Sequence, residues 1–394
     1  MLFLLLTGSI YAQHTLEAVV LDGMTRKPVA NVNVYLDGTT KGTSTDAQGK
    51  FRIVVNEIIN TSLVISHVGY ENKIIQDPFR SLPKTIYIEE RSEIIPEVTV
   101  TAKMDKRKRK EMLDVFKKHF FGNNASLCKI LNEDDIILFH DEEKKELIVT
   151  TKSPLMLVNN YLKYQIRFDL IEFTIQFAEN SSSSFDKQFT AFFEMNPISL
   201  HGNATFTDIG NGSKTLTNRR MNTYNLSFRN FFYLLANNRI KSDKTKNQFD
   251  TQVRLYSTDK FYDQDSIFIV NDSEDYSFMK TVIIKPEIKE NSIRYTMNGM
   301  YGIKISIVSN SENNISDLSY ETFRAIQVIN KNLTNSFSKF SLSEITLYTD
   351  TFHIDTYGNT DLYKNHVLGG AFGRQRVGDL LPLDYMPESI HPDR

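Results

Sequence analysis

Short strands with alternating apolar and polar residues, separated by tight turns, occupy the first part of the 394-residue chain. The alternation is clear at 16–20 and 32–36, and an Asp-Gly pair follows soon after each segment. Such pairs favour tight turns because glycine adopts a positive φ without a Cβ clash. Further strands are predicted at 51–55, 63–66, 73–75 and 84–88. Strands repeating about every 8–12 residues between polar turns indicate a β-sandwich.

A resemblance to the carboxypeptidase-regulatory-like domain of Bacteroidetes envelope proteins is carried by DGMTRKPVANVNVYLDGTTKGTSTDAQGKFRI and then ISHVGYENKII. It covers residues 14–90 and implies a transthyretin-like sandwich. Pro28 precedes the second strand, Gly49 lies in a hairpin and Gly69 in a bend. These are structural roles, and none of them is chemical.

The chain opens with the apolar segment MLFLLLTGSIYAQ. This segment is shorter than the roughly 20 apolar residues that a membrane-spanning helix needs. Its small residues before Gln13 are typical of a secretory signal peptide, here residues 1–12, cleaved after Ala12. We therefore expect export to the periplasm or outer membrane. The alternative is a buried apolar strand.

Residues 91–125 are predicted as a connector that contains a strand at 94–103 and a helix at 104–121. The helix begins with the basic run 106–110. That run is either a contact for anionic lipid or lipopolysaccharide phosphate, or the solvated first turn of a surface helix.

Residues 126–394 are predicted as a larger β-rich domain with one or two packed helices, so that the whole chain is mostly β. Strands are expected at 135–140, 145–151, 161–177, 187–195, 249–256, 281–288, 293–297, 302–308 and 342–355. Several segments, among them RRMNTYNLSFRNFFYLLANNRI, resemble an uncharacterised Bacteroidetes family that carries the same N-terminal module. That resemblance implies no activity.

A single helix is predicted at 217–240. Its apolar residues recur at helical spacing, which predicts one buried face: Phe228, Phe231, Phe232 and Leu235. The opposite face is expected to lie in solvent or against a partner, and it carries Asn222, Arg229 and Asn237.

The best acid–base candidate is His353 with Asp355. They are two residues apart in a predicted strand, so both side chains project from one face, about 7 Å apart. A carboxylate beside an imidazole stabilises its charged form and suits general acid–base chemistry. The same pattern also fits the half-solvated face of a structural sheet.

Arg374 and Arg376 are the binding candidates. With Asp379 and Asp384 they predict either a set of surface ion pairs that holds the end of the chain in place or a site for a carboxylated ligand.

A zinc carboxypeptidase site is not supported. Two His-x-x-Glu spacings occur, at 14–17 and 140–143, but neither lies in the context of a catalytic zinc site. We expect no cofactor and no metal. A formal net charge of −2 argues against nucleic acid as a partner.

The sequence therefore favours a non-catalytic envelope protein that binds or scaffolds an envelope protein or glycan, with peripheral outer-membrane association as one option. The alternative is an envelope hydrolase acting on peptide or glycan through His353 and Asp355. The two readings differ in whether His353 is needed for any activity.

Overall fold

The computed structural model describes residues 13–91, 105–177, 198–237, 249–257, 260–262, 266–274, 279–286, 291–297, 303–309, 322–330, 342–347, 351–361 and 366–388. The expected signal peptide and the strands predicted at 94–103 and 187–195 lie outside these residues. The described part is mostly β, as the sequence predicts. Within it, no helix combines the length and apolar character needed to cross a bilayer.

The N-terminal sandwich contains β1 His14–Asp22, β2 Asn33–Leu36, β3 Gly42–Ser44, β4 Lys50–Val55, β5 Leu63–Ser66, β6 Lys73–Ile75 and β7 Thr85–Ile88. One sheet has the order β4-β1-β7 and the other β3-β2-β5-β6. Alternate residues of β1 and β4 are buried, as their sequence pattern predicts. The six strands predicted between residues 16 and 88 are therefore confirmed.

Gly49 forms a turn between β3 and β4, as expected, but these strands lie in different sheets, so the turn is not the predicted hairpin. Its φ is 71°, and a Cβ added there would lie 2.4 Å from the carbonyl oxygen of Val20. The Gly49 carbonyl accepts a hydrogen bond from the Val20 amide at 2.8 Å. Both the backbone conformation and the close approach of β1 therefore require glycine at this position.

The body, which we define as residues 105–373, begins with α1 Lys106–Phe121, β8 Cys128–Ile130, β9 Ile136–Asp141, β10 Glu146–Thr151, β11 Leu155–Asn159, β12 Tyr164–Gln176 and β13 Ile198–Asp208. Strand β12 pairs with β13 along most of its length, and with β11 and β10 on its other edge. Strands β8 and β9 pair in turn with β11 and β10. The sheet is therefore a meander of four long strands in chain order, of which the first (β8 and β9) and the second (β10 and β11) are each interrupted once.

The two interruptions are joined by one side chain. Asn132 Nδ2 donates to Asp135, Ser153 and the Pro154 carbonyl, while its Oδ1 accepts the Met156 amide at 2.8 Å. At the same level, the register of β12 with β13 shifts between Leu170 and Glu172. The irregularities thus align across the sheet.

Helix α1 packs on this sheet through aromatic rings. Phe116 lies 4.8 Å edge-on from Phe173, and Phe120 lies 5.3 Å edge-on from Phe168. All four rings are buried. The predicted connector helix is therefore part of the core of the body.

The basic run at the start of α1 contacts the protein itself. Lys108 pairs with Glu142 at 2.5 Å, and Arg109 donates to the backbone carbonyls of Glu133 and Ile136. These contacts favour the interpretation of a surface helix whose first turn is partly engaged within the fold.

The helix predicted at 217–240 is instead two helices, α2 Lys214–Asn225 and α3 Phe228–Ala236. Ser227 separates them, and its hydroxyl accepts the Asn230 amide at 3.1 Å as the N-cap of α3. The break was not predicted because the helical spacing of the apolar residues continues across Ser227. Asn222 and Asn237 are exposed as expected.

The remaining elements are β14 Phe249–Ser257, β15 Lys260–Tyr262, β16 Ser266–Asp272, β17 Met279–Pro286, β18 Asn291–Met297, β19 Ile303–Ser309, β20 Thr322–Asn330, β21 Leu342–Leu347, β22 Thr351–Asp355, β23 His366–Gly369 and α4 Gly370–Gly373. They form sheets of order β19-β18-β15-β14-β20-β21-β23 and β16-β17-β22. The strand predicted at 342–355 is thus two strands in different sheets. Buried Phe231 and Phe232 of α3 pack with Val282, Ile345 and Phe352 in a second core.

The close approach at Gly49 predicts a specific loss of stability. Gly49→Ala should destabilise the protein more than Gly212→Ala, since Gly212 has a similar φ of 68° but no atom within 4 Å of an added Cβ. The control carries only the left-handed backbone cost of about 1–2 kcal/mol. Thermal melts followed by circular dichroism compare the two variants. Equal melting temperatures would reject the contact with Val20.

Candidate functional site

The sandwich, the body and the tail, which we define as residues 374–388, meet at the β2–β3 hairpin. The Gly38 amide donates to the Ala204 carbonyl of β13 at 2.7 Å, and the Gly38 carbonyl accepts the Leu383 amide of the tail at 2.7 Å. The Phe206 amide donates to the Thr39 carbonyl at 2.9 Å. The hairpin tip therefore forms main-chain hydrogen bonds with one edge of β13 on one side and with the tail on the other.

Three aspartates accept backbone amides across this junction, and we call them the aspartate clasp: Asp37, Asp355 and Asp384. Asp37 of the sandwich accepts the Ala204 amide at 2.7 Å. Asp355 of the body accepts the Asn60 amide of the sandwich at 2.9 Å. Asp384 of the tail accepts the Thr40 amide at 2.9 Å.

Burial dominates the electrostatics of two of these carboxyls. It raises the pKa of both Asp37 and Asp355 to about 6, because removal from water disfavours the charged form. Asp355 also accepts the amides of Tyr357 and Asn359 and the side-chain amide of Asn359. Its oxygens are therefore occupied by donors of the protein and are buried away from any substrate.

A second polar contact joins the outer face of the sandwich to β12. The Tyr35 hydroxyl donates to Asp169 at 2.6 Å, Arg167 pairs with Asp169 at 2.7 Å, and Arg167 also donates to the Ser66 hydroxyl at 3.1 Å. Burial raises the pKa of Tyr35, so its hydroxyl stays a donor. This contact explains why β5 is buried on both faces.

Arg229, predicted to be exposed, is buried. Its guanidinium donates to the Pro382 carbonyl at 2.7 Å and to the Tyr385 carbonyl, and it lies 5.1 Å from the centroid of the Tyr224 ring. Burial lowers its pKa. The expectation failed because its partners lie in the tail. Removing the side chain would leave these carbonyls unpaired, so we expect Arg229→Ala to destabilise the protein.

The two members of the predicted acid–base pair bind different groups in the structure. His353 Nδ1 lies 2.7 Å from Asp361 Oδ2, and its backbone amide also donates to Asp361. Asp355 instead holds the turn that follows β22. His353 and Asp361 are partly exposed, with side-chain exposures of 18% and 31%. The carboxylate that orients this imidazole is therefore Asp361, which the strand pattern could not indicate because the chain turns back between them.

The predicted binding arginines lie in the tail but are partly buried. Arg376 donates to the carbonyls of Gly373 and Gln375, and burial lowers the pKa of both Arg374 and Arg376. Asp379 accepts the Asn124 side chain at 2.6 Å. Asp384 lies 3.7 Å from Lys41. The tail is thus held largely by hydrogen bonds to neighbouring segments.

Neither a metal centre nor a thiol nucleophile is evident in the part of the chain that the structure describes. These residues contain no group of three or more His, Cys, Asp or Glu side chains placed to hold a metal ion. Burial raises the pKa of the Cys128 thiol to about 12, which disfavours the reactive thiolate.

Comparison with known proteins identifies the N-terminal part. No curated protein matches the chain. A solved 9R-lipoxygenase from Cyanothece PCC8801 matches at 12% identity over 60% of this chain and half of that one, with a TM-score of 0.17. So low a score supports no inference about fold or activity. Residues 17–100 match the model of the CarboxypepD_reg-like domain. The N-terminal sandwich of this chain is therefore a CarboxypepD_reg-like domain.

Proposed function

We propose that this protein is a non-catalytic binding or scaffolding protein of the cell envelope, and that the sandwich presents its contact surface. The observation that carries the proposal is the exposure of Met24 and Val68, each 89% accessible to solvent. An exposed apolar patch is typical of a site that binds another macromolecule.

These two side chains lie on adjacent loops, which we call the sandwich tip: residues 22–27 and 67–70. The Tyr70 hydroxyl donates to Asp22 at 3.0 Å and so joins the two loops. The Thr25 amide and hydroxyl also bind Asp22. Because the loops are held in place, a partner would bind them with little loss of conformational entropy.

The contacts at the junction support a structural role, in which they hold the sandwich in one orientation on the body. The buried carboxylates of the junction and the Arg229 guanidinium are occupied by backbone groups of other segments. Such groups fix the orientation of the sandwich on the body and are not accessible to a substrate. The envelope location is supported by the apolar segment at 1–12 and by the resemblance of the sandwich to domains of exported proteins.

The binding role can be tested at the tip. In its native cells, the wild-type protein should be captured in a high-mass assembly by chemical cross-linking. Replacing both Met24 and Val68 by serine should abolish this capture, because the apolar contact area is lost. The matched control replaces Val54 and Ile74 by serine; these residues are 40% and 41% exposed on strands of the same sandwich.

The export part of the proposal predicts that the signal peptide is removed. Mass spectrometry of the protein from the membrane fraction should therefore find a mature N-terminus near Gln13.

An assembly that survives the tip substitutions but not the control substitutions would contradict the proposed surface. A wild-type protein that forms no assembly would contradict the binding role itself.

A hydrolase is the second candidate, and the His353–Asp361 pair favours it. A carboxylate 2.7 Å from Nδ1 orients an imidazole so that Nε2 can act as a general base. The proposed acid–base role would then require both side chains.

The two functions are separated by an activity measurement. Labelled casein and purified peptidoglycan serve as probes, and His201→Ala is the control, since His201 forms a similar pair with Glu172 at 3.2 Å. The binding proposal predicts no turnover that depends on His353. Hydrolysis reduced about 100-fold or more by His353→Ala and by Asp361→Asn, but not by His201→Ala, would favour the hydrolase.

A further inference from the structure

Strand β9 forms one edge of the first sheet of the body, and half of its main-chain groups face away from that sheet. The Asp135 carbonyl accepts an amide just past the end of β10 at 2.9 Å, so the main-chain groups of odd-numbered residues face β10. On the other side, the Ile136 carbonyl accepts from Arg109 at 3.1 Å. The main-chain groups of Leu138 and His140 therefore also face outward, and no described residue binds them.

This edge lacks the features that protect an exposed strand from pairing. Natural edges carry lysine, proline or a bulge, whereas residues 136–139 are Ile-Ile-Leu-Phe. The side chains of Ile137 and Phe139 are 39% and 43% exposed on the face of the sheet opposite α1. In contrast, the edge strand β4 of the sandwich carries Lys50 and Arg52, and the hairpin tip covers part of the edge of β13. Strand β9 is therefore suited to receive another strand.

A cationic side chain lies beside this edge on the side of α1. The Arg109 guanidinium uses one nitrogen, Nη2, for the carbonyls of Glu133 and Ile136. Its Nη1 and Nε have no partner within the described part of the chain. Lys108 is held past the other end of β9 by Glu142. A strand added here would therefore meet the Arg109 charge on one face and apolar side chains on the other.

We propose that β9 binds an extended segment of a partner protein by strand addition, and that this segment alternates apolar with acidic residues. Its apolar side chains pack on Ile137 and Phe139, and one of its carboxylates pairs with the unoccupied nitrogens of Arg109. Main-chain bonds to Leu138 and His140 supply affinity that does not depend on the partner's side chains. This surface shares no residue with the sandwich tip, so the inference holds whether or not the tip binds a partner.

A second copy of this chain is a poorer occupant of the same edge. Two β9 strands related by a two-fold axis would pair in antiparallel fashion. In such a pair centred on Leu138, Asp135 lies opposite Asp141 of the partner subunit, so like charges meet. An acidic and apolar segment instead places its carboxylate beside Arg109.

The free edge can be tested in the full-length wild-type protein. Hydrogen exchange is measured by mass spectrometry with fragmentation to single residues. The amide of Phe139, which faces β10, should exchange slowly, whereas the amides of Leu138 and His140 should exchange quickly. The probe is a fluorescein-labelled peptide of about ten residues that alternates valine and glutamate. At saturation it should slow exchange at Leu138 and His140 about tenfold.

Fluorescence anisotropy of the labelled peptide measures its affinity. The peptide should bind about tenfold more tightly than a matched peptide in which lysine replaces glutamate. Arg109→Gln should reduce this preference about fivefold, because one ion pair is lost.

Two variants of β9 test the mode of binding. Leu138→Pro removes an outward N–H that the sheet does not use, and Phe139→Thr removes apolar contact area. Each should weaken binding of the valine-glutamate peptide about tenfold. The matched control is Ile171→Thr, since Ile171 is 61% exposed on the central strand β12, and this variant should bind as the wild type does.

The proposal is overturned if the valine-glutamate peptide does not bind, if the valine-lysine peptide binds equally well, or if Phe139→Thr leaves the affinity unchanged. It is also overturned if the amides of Leu138 and His140 exchange as slowly as that of Phe139 before peptide is added. In that case another segment of the chain or a second copy already covers the edge. Should Leu138→Pro fail to fold, the wild type and Phe139→Thr still give a result for or against.

Discussion

The two main-chain hydrogen bonds of Gly38 connect the three parts of the molecule. One strand edge of the body and the tail bind opposite sides of a single residue, and each bond needs its partner because buried N–H and C=O groups are costly when unpaired. Gly38 has a φ of 70°, and an added Cβ would lie 3.0 Å from the Leu383 side chain. A larger residue would therefore disturb both the turn and the tail. The position of the sandwich depends on this contact.

Together with the segment just before it, the tail extends this connection to the three cores of the described residues. Phe372, just before the tail, lies in the core with α3, Leu381 lies in the core with α1, and Leu383 packs against the core of the sandwich. Arg229 binds the carbonyls of Pro382 and Tyr385 between these points. A polar junction of this kind adds little hydrophobic free energy, but each bond specifies an orientation. This suits a protein that presents the sandwich tip in a fixed direction.

Local patterns predicted the sandwich well because its strands and turns are set by neighbouring residues. The alternation of β1 and β4 and the positive φ of Gly49 are of this kind. The helix at 217–240 was only partly right, since its apolar spacing continues past the break at Ser227. The exposed position predicted for Arg229 was wrong because its partners lie more than 150 residues later in the chain.

The site was harder to predict than the fold. The two Asp-Gly pairs of the sandwich correctly predicted turns. A turn pattern, however, does not show that Asp37 accepts the backbone amide of Ala204. The partner of His353 was missed because a strand pattern places residues two apart on one face, whereas the chain folds back to bring Asp361 beside it. Contacts between distant segments are set by the packing of whole layers, and a single sequence does not display them.

The central claim is that the tail holds the sandwich on the body. It is tested most directly by comparing two shortened chains in small-angle scattering and calorimetry, one ending at Glu388 and one ending at Leu380. The first keeps Leu383 and Asp384 and should melt in one transition with a compact radius of gyration. The second loses the tail contacts with Gly38, Thr40 and Arg229, and should expand and melt in two transitions. One transition and an unchanged radius for the shorter chain would contradict the account.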